Sequence, residues 1–451
     1  MKTMALSRRR FLVQTGALIA TPFILPSRLW AQQTSPSRRV TLGCIGMGKH
    51  MRIQHLASLV QRDDVEILAV CDVDTTRREH AKQFVEESRS KLAGGTGKGC
   101  EAYADFRELL ARPNIDAVVV ATPDHWHAYI AGAAVRAGKD VYCEKPLTYN
   151  IDEAVRLVDA VKGTDRILQT GSQQRSSKEF RVAAELVRNG VIGGVRRVDV
   201  LFGSPPRPFS APAETMEQGL DWDFWCGPGP LLHYSSTLSP RGVNEFYGKW
   251  RWCWEFGGGE ITDWGAHHID IAQWALGVDG SGPVEVRAPQ DWKSATQGAQ
   301  LVYADGTVLT HRDGKSVSFF GEGGEVHVGR GQFELILDGR SVHRFWTKEA
   351  DKGTSMEREV TLTEREYLAE AKIKLPRTTG HMQDFLDSVR ERRPPICPVE
   401  TGASTAIACH LMNFAYRYGA QAKWDPAAHQ FTHGGDNAWK SRNPIRGGWW
   451  I

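Results

Sequence analysis

The chain has 451 residues, of which 41% are hydrophobic and 24% are charged, and its formal net charge is +3 at pH 7. This composition is that of a globular protein long enough for two domains, and it excludes a low-complexity chain. No block of lysine and arginine lies beyond the first ten residues, so we expect no nucleic-acid partner. The eight cysteines are scattered without a CxxC pair, which excludes a zinc signature or disulfide framework and favours buried, small apolar side chains.

The N-terminus resembles a twin-arginine export signal. Ser7-Arg8-Arg9-Arg10-Phe11-Leu12 is followed by the short apolar stretch 13–25, which Pro22 interrupts. Because this stretch is too short and too interrupted to span a bilayer, we expect no stable membrane insertion. Leu29-Trp30-Ala31 offers a cleavage point after Ala31. If the signal is not cleaved, a membrane tether is the alternative. We therefore predict a signal and linker over residues 1–35 and export to the periplasm by the twin-arginine route. Signals of this kind export proteins that are already folded around a bound cofactor.

Residues 36–165 begin with a glycine-containing turn between a strand and a helix. An apolar strand over 39–45 runs into Gly46, Met47, Gly48 and Lys49, and a helix follows. Two glycines at this spacing allow backbone amides to approach a pyrophosphate at a helix N-terminus, so we predict that residues 36–165 form a Rossmann domain that binds NAD(P). Met51 replaces the third glycine of the usual fingerprint, which affects local packing only.

Asp72 follows a second apolar strand, Val65–Cys71. An acidic side chain at this place accepts hydrogen bonds from a ribose hydroxyl pair, which favours NAD. Arg77 and Arg78 follow closely and leave NADP open, because they suit a 2′-phosphate. A helix N-cap is the structural alternative for Asp72.

The strand and helix alternation continues through a buried strand at 115–121 and a polar loop at 122–127. We predict that Thr122, Pro123 and His127 of this loop reach the nicotinamide end of the cofactor. Alternatively, His125 and His127 form their hydrogen bonds within the loop and do not contact the cofactor.

The strand Asp140–Cys143 runs directly into Glu144, Lys145 and Pro146. Ligands bind at the carboxyl ends of strands in open α/β sheets, so Lys145 is placed to touch a substrate hydroxyl. Glu144 and Lys145 are also predicted to contact the cofactor. An X-Pro bond at this point can be cis.

Asp263 and His267 lie four residues apart, a spacing that puts both on one face of a predicted helix. A histidine is the natural proton acceptor near neutral pH, and the aspartate can orient its ring. A metal site built from Asp263, His267, His268 and Asp270 is the disfavoured alternative, because no matching ligand cluster occurs at zinc-like spacing. We therefore predict no metal.

Several of these motifs together resemble the glucose–fructose oxidoreductase, inositol dehydrogenase and MocA-like family. They are Gly46-Met47-Gly48, Asp72, Ala121-Thr122-Pro123, Glu144-Lys145-Pro146 and Asp263-Trp264-Gly265-Ala266-His267. The resemblance implies an α/β Rossmann domain followed by an α+β domain with a large, mostly antiparallel open sheet. It also implies a catalytic Lys145 completed by Asp263 and His267. With its twin-arginine signal, the chain resembles the exported branch of this family.

The second domain is predicted over residues 166–451. Its polar stretch 171–176 should line the cleft, where Arg175 either holds substrate or forms a structural salt bridge. Tryptophans are concentrated between residues 222 and 274, and indole faces suit pyranose rings. Trp222 and Trp225 are predicted to contact substrate, although core packing is the alternative for most of the group.

Residues 284–337 alternate as strands, with a hairpin at Gly323-Gly324, and helices are predicted over 381–390 and 401–418. A large open sheet needs cover on both faces, so we expect a homo-oligomer, a dimer or tetramer, through this sheet. The tail 424–451 has no assigned structure.

These features predict an NAD(P)-dependent oxidoreductase that acts on a CH–OH group of a sugar, polyol or glycoside and retains its cofactor. A redox-neutral glycosidase, lyase or epimerase on the same fold is the alternative. A third interpretation, a sugar-binding module without catalysis, is opposed by the complete set of Lys145, Asp263 and His267.

Overall fold

A computed structural model describes residues 39–91, 99–314, 316–347, 353–441, 446–449 and 451. The predicted export signal at 1–35 lies outside these ranges. Among the helices that the structure describes, none is long and apolar enough to cross a membrane. The eight cysteines all fall within the described ranges and are buried free thiols, which confirms their interpretation as small apolar side chains.

The first sheet has six parallel strands in the order β3-β2-β1-β4-β5-β6, as expected for a doubly wound dinucleotide-binding fold. Its central strands are buried along their length, because helices cover both faces of a parallel sheet. The strands are β1 Val40–Ile45, β2 Val65–Cys71, β3 Glu101–Tyr103, β4 Ala117–Val120, β5 Asp140–Cys143 and β6 Leu168–Thr170. Since β6 pairs with β5, the first sheet extends beyond the predicted domain boundary at residue 165.

The connecting segments on the first sheet are the π-helical turn Met51–Leu56, which continues as Ala57–Leu59, and the helices Thr75–Ser90, Phe106–Leu110, Asp124–Arg136 and Ile151–Val161. One of them differs from expectation. The predicted loop at 122–127 is largely helical, because the helix begins at Asp124. An acidic side chain in the first turn favours this start, since it complements the partial positive charge of a helix N-terminus. His125, Trp126 and His127 therefore lie in a buried first turn.

The second sheet has ten strands in the order β14-β13-β12-β11-β7-β10-β9-β8-β15-β16. Its neighbours are antiparallel except for the pair β7 and β10, so the predicted fold class is confirmed. The strands are β7 Val195–Leu201, β8 Glu285–Arg287, β9 Gln300–Val302, β10 Val308–Arg312, β11 Val317–Gly321, β12 Gly324–Gly329, β13 Gln332–Leu337, β14 Arg340–Trp346, β15 Gln421–Asp425 and β16 Gln430–His433.

The helices of the second half are Lys178–Arg188, Trp222–Cys226, Trp264–Leu276, Met356–Tyr367, His381–Glu391 and Val399–Tyr418. Short 3₁₀ segments occupy Gln173–Ser176, Lys249–Trp252, Gly259–Ile261 and Asn437–Ser441. Helix Val399–Tyr418 packs on both halves, because it contacts helix Ile151–Val161 as well as helix Trp264–Leu276. Helix His381–Glu391 returns to the first half, where Phe385 and Leu386 are buried in the core around β1 and β2.

The C-terminal tail, which the sequence left unassigned, forms β15 and β16 and then reaches back to the first half. The Trp449 ring lies 4.7 Å from the Trp126 ring and stacks on Phe224 with 5.7 Å between ring centroids. Large aromatic contacts of this kind bury much apolar surface, so the tail braces the two halves.

Arg175 takes the structural role that the sequence left open, not the predicted substrate contact. Its guanidinium donates to Asp270 at 2.8–3.0 Å and to Asp279 at 2.7 and 3.1 Å. The side chain is 2% exposed and lies over the Trp274 ring. Its donors are therefore committed to two acids inside the second half.

We predict that Arg175→Met lowers the free energy of unfolding by about 3–5 kcal/mol, because it leaves the buried Asp270 carboxylate without its partner. Urea denaturation measures the change. Arg365→Met is the matched control: Arg365 pairs with Glu366 at the surface, where ion pairs contribute about 0–1 kcal/mol. If Arg175→Met leaves the free energy of unfolding unchanged but weakens carbohydrate binding, the structural role is contradicted and Arg175 contacts substrate.

Candidate active site

Four strand ends build one wall of a cleft. Strands β1, β2, β4 and β5 end next to Gly46, Asp72, Ala121 and Glu144, and parallel strands place such ends along one edge of a sheet. A cavity of about 950 Å³ lies at this edge. Its lining from the first half includes the predicted cofactor residues Gly46, Met47, Gly48, Lys49, Asp72, Thr122 and Pro123.

The glycine turn leaves space where a dinucleotide backbone would pass. Gly46 has a φ of +89°, and a Cβ there would lie 2.8 Å from the Ala121 carbonyl oxygen and the Thr122 nitrogen. Only glycine fits that position. A Cβ at Gly48 would meet no described atom within 4 Å, so this part of the turn faces open space.

Asp72 is held in place by the turn itself. Its Oδ2 accepts a hydrogen bond from the Met47 backbone N–H at 2.7 Å, and its Oδ1 accepts one from Asp74 at 2.9 Å. Burial raises the pKa of this carboxyl, while the nearby Arg77 opposes the rise. Asp74, not Asp72, is the N-cap of the following helix, which removes the structural alternative for Asp72.

The opposite wall of the cleft is a segment of the second half that sequence reasoning did not find. We call residues 239–251 the capping loop, and nine of its residues line the cavity. Lys49 donates to the Glu245 carbonyl at 2.5 Å, and Arg52 donates to the Asn244 carbonyl. These bonds attach the capping loop to the segment that follows the glycine turn.

Arg77 also attaches this loop to the first half. Its guanidinium donates to the carbonyls of Pro240 and Gly242, the latter at 3.2 Å, and pairs with Asp74 at 3.4 Å. The neighbouring Arg78 donates to the Asp72 carbonyl at 3.3 Å. These hydrogen bonds to the backbone hold the Arg77 guanidinium against the capping loop.

Lys145 joins the two halves at the edge of the cleft. The Lys145–Pro146 peptide bond is cis. The ammonium donates to the Asp263 carboxylate and, at 3.2 Å, to the Asp263 carbonyl. Burial raises the pKa of Asp263, but Lys145 and Arg251 outweigh that effect and hold the pKa below its usual value. The pair is therefore ionic.

His267 is buried four residues further along the chain. The side chain is 5% exposed, and its Nδ1 has no hydrogen-bond partner among the residues described. Burial holds its pKa well below the ordinary 6.5, and the positive charges of Lys145 and Arg330 lower it further. A neutral imidazole with an unused polar atom can accept a proton or bind a ligand.

The predicted orientation of His267 by Asp263 is wrong. Asp263 immediately precedes helix Trp264–Leu276, and its carboxylate turns to Lys145. The i, i+4 spacing assumed that both residues lie within the helix, whereas only His267 does. Asp263 therefore orients the Lys145 side chain and not the His267 ring.

His127 does not contact the cavity, contrary to prediction. Its Nδ1 lies 2.7 Å from the Pro146 carbonyl and its Nε2 lies 2.9 Å from the Thr122 carbonyl. Burial lowers the pKa of His127 to about 4, so the ring is neutral. It braces the turn after β5 against the turn after β4. His125 is buried in the same way, 3.0 Å from the Trp225 carbonyl.

Only one of the two predicted substrate tryptophans lines the cleft. Trp225 contributes to the cavity wall, whereas Trp222 stacks beneath it with 4.5 Å between ring centroids and donates to the Leu232 carbonyl. Trp222 is therefore a packing residue, because its N–H is satisfied inside the protein. Within the described part of the chain, Glu144, Lys145, Asp263 and His267 lie outside the cavity lining, which comes close to them at His50 and Arg251.

Comparison with known proteins agrees with this architecture. Residues 40–172 match the model of an oxidoreductase family with an NAD-binding Rossmann fold, and residues 209–331 match the C-terminal alpha/beta domain of the same family. A myo-inositol 2-dehydrogenase of Thermotoga maritima is 34% identical over 167 residues, which cover 37% of this chain and 46% of the relative.

Two further proteins show the range of this similarity. A glycosyl hydrolase family 109 protein of Stenotrophomonas maltophilia is 28% identical over 234 residues, 49% of this chain and 50% of the relative. The chain thus spans about half the length of both curated relatives. The crystal structure of an aldose-aldose oxidoreductase from Caulobacter crescentus shares the fold, with a TM-score of 0.56 and 18% identity, covering 86% of this chain and 100% of that one. Since the two family matches together span more than half of the chain and carry both domains, this protein belongs to the Gfo/Idh/MocA family of NAD(P)-dependent oxidoreductases.

Proposed function

We propose that this protein oxidises a CH–OH group of a sugar, polyol or glycoside with an NAD cofactor that stays bound between turnovers. The observation that carries the proposal is the meeting of an ionic Lys145–Asp263 pair and a neutral, buried His267 at the edge of the cleft that the glycine turn and Asp72 line. These are the groups that oxidation of an alcohol requires: a cation for the oxygen and a base for the proton.

The residues present fit such a cofactor. The turn Gly46–Lys49 is open at Gly48. Two backbone amides orient the Asp72 carboxylate, and each of its oxygens can accept a further hydrogen bond. When bound, the nicotinamide would accept the hydride, and a second, carbonyl-containing substrate would take the hydride from it before the next turnover. The contacts of Arg77 with the capping loop favour NAD, because they occupy the guanidinium that a 2′-phosphate would need.

The chain's own residues handle the substrate oxygen and its proton. His267 accepts the hydroxyl proton on its free nitrogen, and Lys145 donates a hydrogen bond to the oxygen as negative charge develops. Asp263 holds the ammonium in position. Trp225 offers an apolar face for the carbohydrate ring.

Retention of the cofactor fits an exported enzyme. The capping loop is bonded to Lys49, Arg52 and Arg77, so release of a dinucleotide requires several bonds to break. Export by the twin-arginine route, periplasmic location and a homo-oligomer through the second sheet remain part of this proposal.

We expect Lys145→Ala to reduce turnover by about 100- to 1,000-fold, as removal of one oxyanion donor typically does. The bound nucleotide should remain, because Lys145 lies outside the cavity lining and the residues that form the turn are unchanged. The rate at which the bound nicotinamide is reduced in a single turnover, followed by its absorbance, measures the oxidation step, and denaturation followed by chromatography measures the nucleotide. Lys178→Ala, which removes a surface ion pair with Glu357, is the control. Full activity of Lys145→Ala would reject the assignment.

The pH profile should report the neutral state of His267. A base must be unprotonated to accept a proton, and burial with Lys145, Arg330 and His268 nearby holds its pKa below 6.5, with Glu144 opposing. We therefore expect kcat/KM to fall only when the pH is well below 6.5. Arg330→Met should move this limb to higher pH, because it removes one positive charge. A limb at or above pH 6.5 in the unaltered protein would contradict the role of His267.

A redox-neutral glycosidase is the second candidate, and the similarity to a glycosyl hydrolase family 109 protein is the observation that favours it. Incubation with p-nitrophenyl glycosides, without an added electron acceptor, separates the two. The oxidoreductase predicts at most one reduced nicotinamide per chain and no release of nitrophenol. Repeated release of nitrophenol without net reduction would establish the redox-neutral reaction.

A further inference from the structure

Two histidines and one glutamate meet under the glycine turn, next to the cleft. His55 Nε2 lies 2.8 Å from Glu144 Oε1, and His50 Nε2 lies 3.2 Å from the same oxygen. Within the described part of the chain, no other group of three histidine, cysteine or acidic side chains brings its ligand atoms within 4.8 Å of one another. None of these contacts is used by the chemistry proposed above.

The local winding of the chain makes this meeting possible. Residues five apart in an α-helix point about 140° away from each other, because each residue turns the helix by about 100°. His50 instead precedes the π-helical turn Met51–Leu56, which contains His55. The wider winding brings both rings against Glu144, with 5.5 Å between their centroids. Single π turns occur frequently at functional sites.

More donors converge on Glu144 than one oxygen satisfies well. Gln173 Nε2 also lies 2.8 Å from Oε1, while Oε2 accepts from the Lys145 backbone N–H at 3.1 Å. His50 Nε2 is buried and has no hydrogen-bond partner within the ranges described, despite its distance of 3.2 Å from the carboxylate. The cluster therefore places the His50 ring nitrogen next to a buried carboxylate without a well-formed hydrogen bond.

The composition and spacing of the cluster suit a cation, because two imidazole nitrogens and one carboxylate oxygen lie within 4.8 Å of one another. A tetrahedral zinc ion with ligands at about 2.0–2.2 Å requires ligand atoms about 3.3–3.6 Å apart. The separations of 2.8 and 3.2 Å from the Glu144 oxygen are shorter than this range, so a bound ion would have to move the rings slightly away from the carboxylate.

We propose that His50, His55 and Glu144 form a binding site for a divalent transition-metal ion such as Zn²⁺. Two imidazoles and one carboxylate are the protein ligands of several zinc sites that keep a further position open. His50 lines the cavity, so the proposed site adjoins the cleft. The site is independent of the proposed dehydrogenase activity, since a chain without that activity would hold the ion equally well.

The test is metal binding by the purified full-length protein with its bound nucleotide. After chelator treatment and dialysis, calorimetric titration with Zn²⁺ should show one ion bound per chain. His50→Ala should weaken binding more than about 100-fold, because outer-shell partners of a metal alone contribute about 10- to 100-fold. His50 is partly exposed, so this substitution disturbs the core little.

His327→Ala is the matched control. His327 pairs with Glu325 at 2.9 Å on the second sheet, but no third ligand joins them among the residues that the structure describes, so removal of His327 should leave Zn²⁺ binding unchanged. Equal Zn²⁺ binding by the unaltered protein and His50→Ala would overturn the proposal, as would equal loss in His327→Ala. Co²⁺ gives a second readout that needs no variant. A visible absorption band at one Co²⁺ per chain supports the site, and its absence overturns it.

Discussion

The ion pair between Lys145 and Asp263 is the contact on which the arrangement of the active site depends. Lys145 follows the last residue of β5 and its adjoining glutamate, and Asp263 directly precedes the helix that carries His267. The pair therefore fixes the edge of the nucleotide-binding sheet to the first turn of a helix in the other half. Because both groups are mostly shielded from water, their attraction is screened little, and separating them would leave two poorly solvated charges.

The elements that the sequence predicted well are those with a local cause. Strands Val65–Cys71 and Asp140–Cys143 have the predicted bounds, since apolar runs and turn residues specify them directly. The position of Lys145 was also predictable, because a tripeptide that follows a buried parallel strand must lie at the ligand-binding edge of the sheet. The resemblance of five motifs to a known family supplied the order of the domains, which the family matches confirm.

What the sequence could not predict depends on long-range contacts or on unusual winding. Nothing in residues 239–251 shows that their carbonyls receive Lys49, Arg52 and Arg77 from the other half. Asp263 was assigned to His267 because spacing cannot distinguish a residue inside a helix from one just before it. The contact of His50 and His55 with Glu144 was not predicted for a similar reason. Residues five apart lie on one face only where the chain winds as a π turn, as it does at Met51–Leu56.

The central claim is that Lys145 and His267 act on one carbinol. A crystal structure of the nucleotide-loaded protein with a bound polyol measures this directly, through the distances from the Lys145 Nζ and a His267 ring nitrogen to the substrate oxygens. We predict that both nitrogens lie within about 3.2 Å of the same hydroxyl oxygen, the reach of a hydrogen bond. A polyol whose reacting hydroxyl contacts only one of them, or neither, would contradict the account.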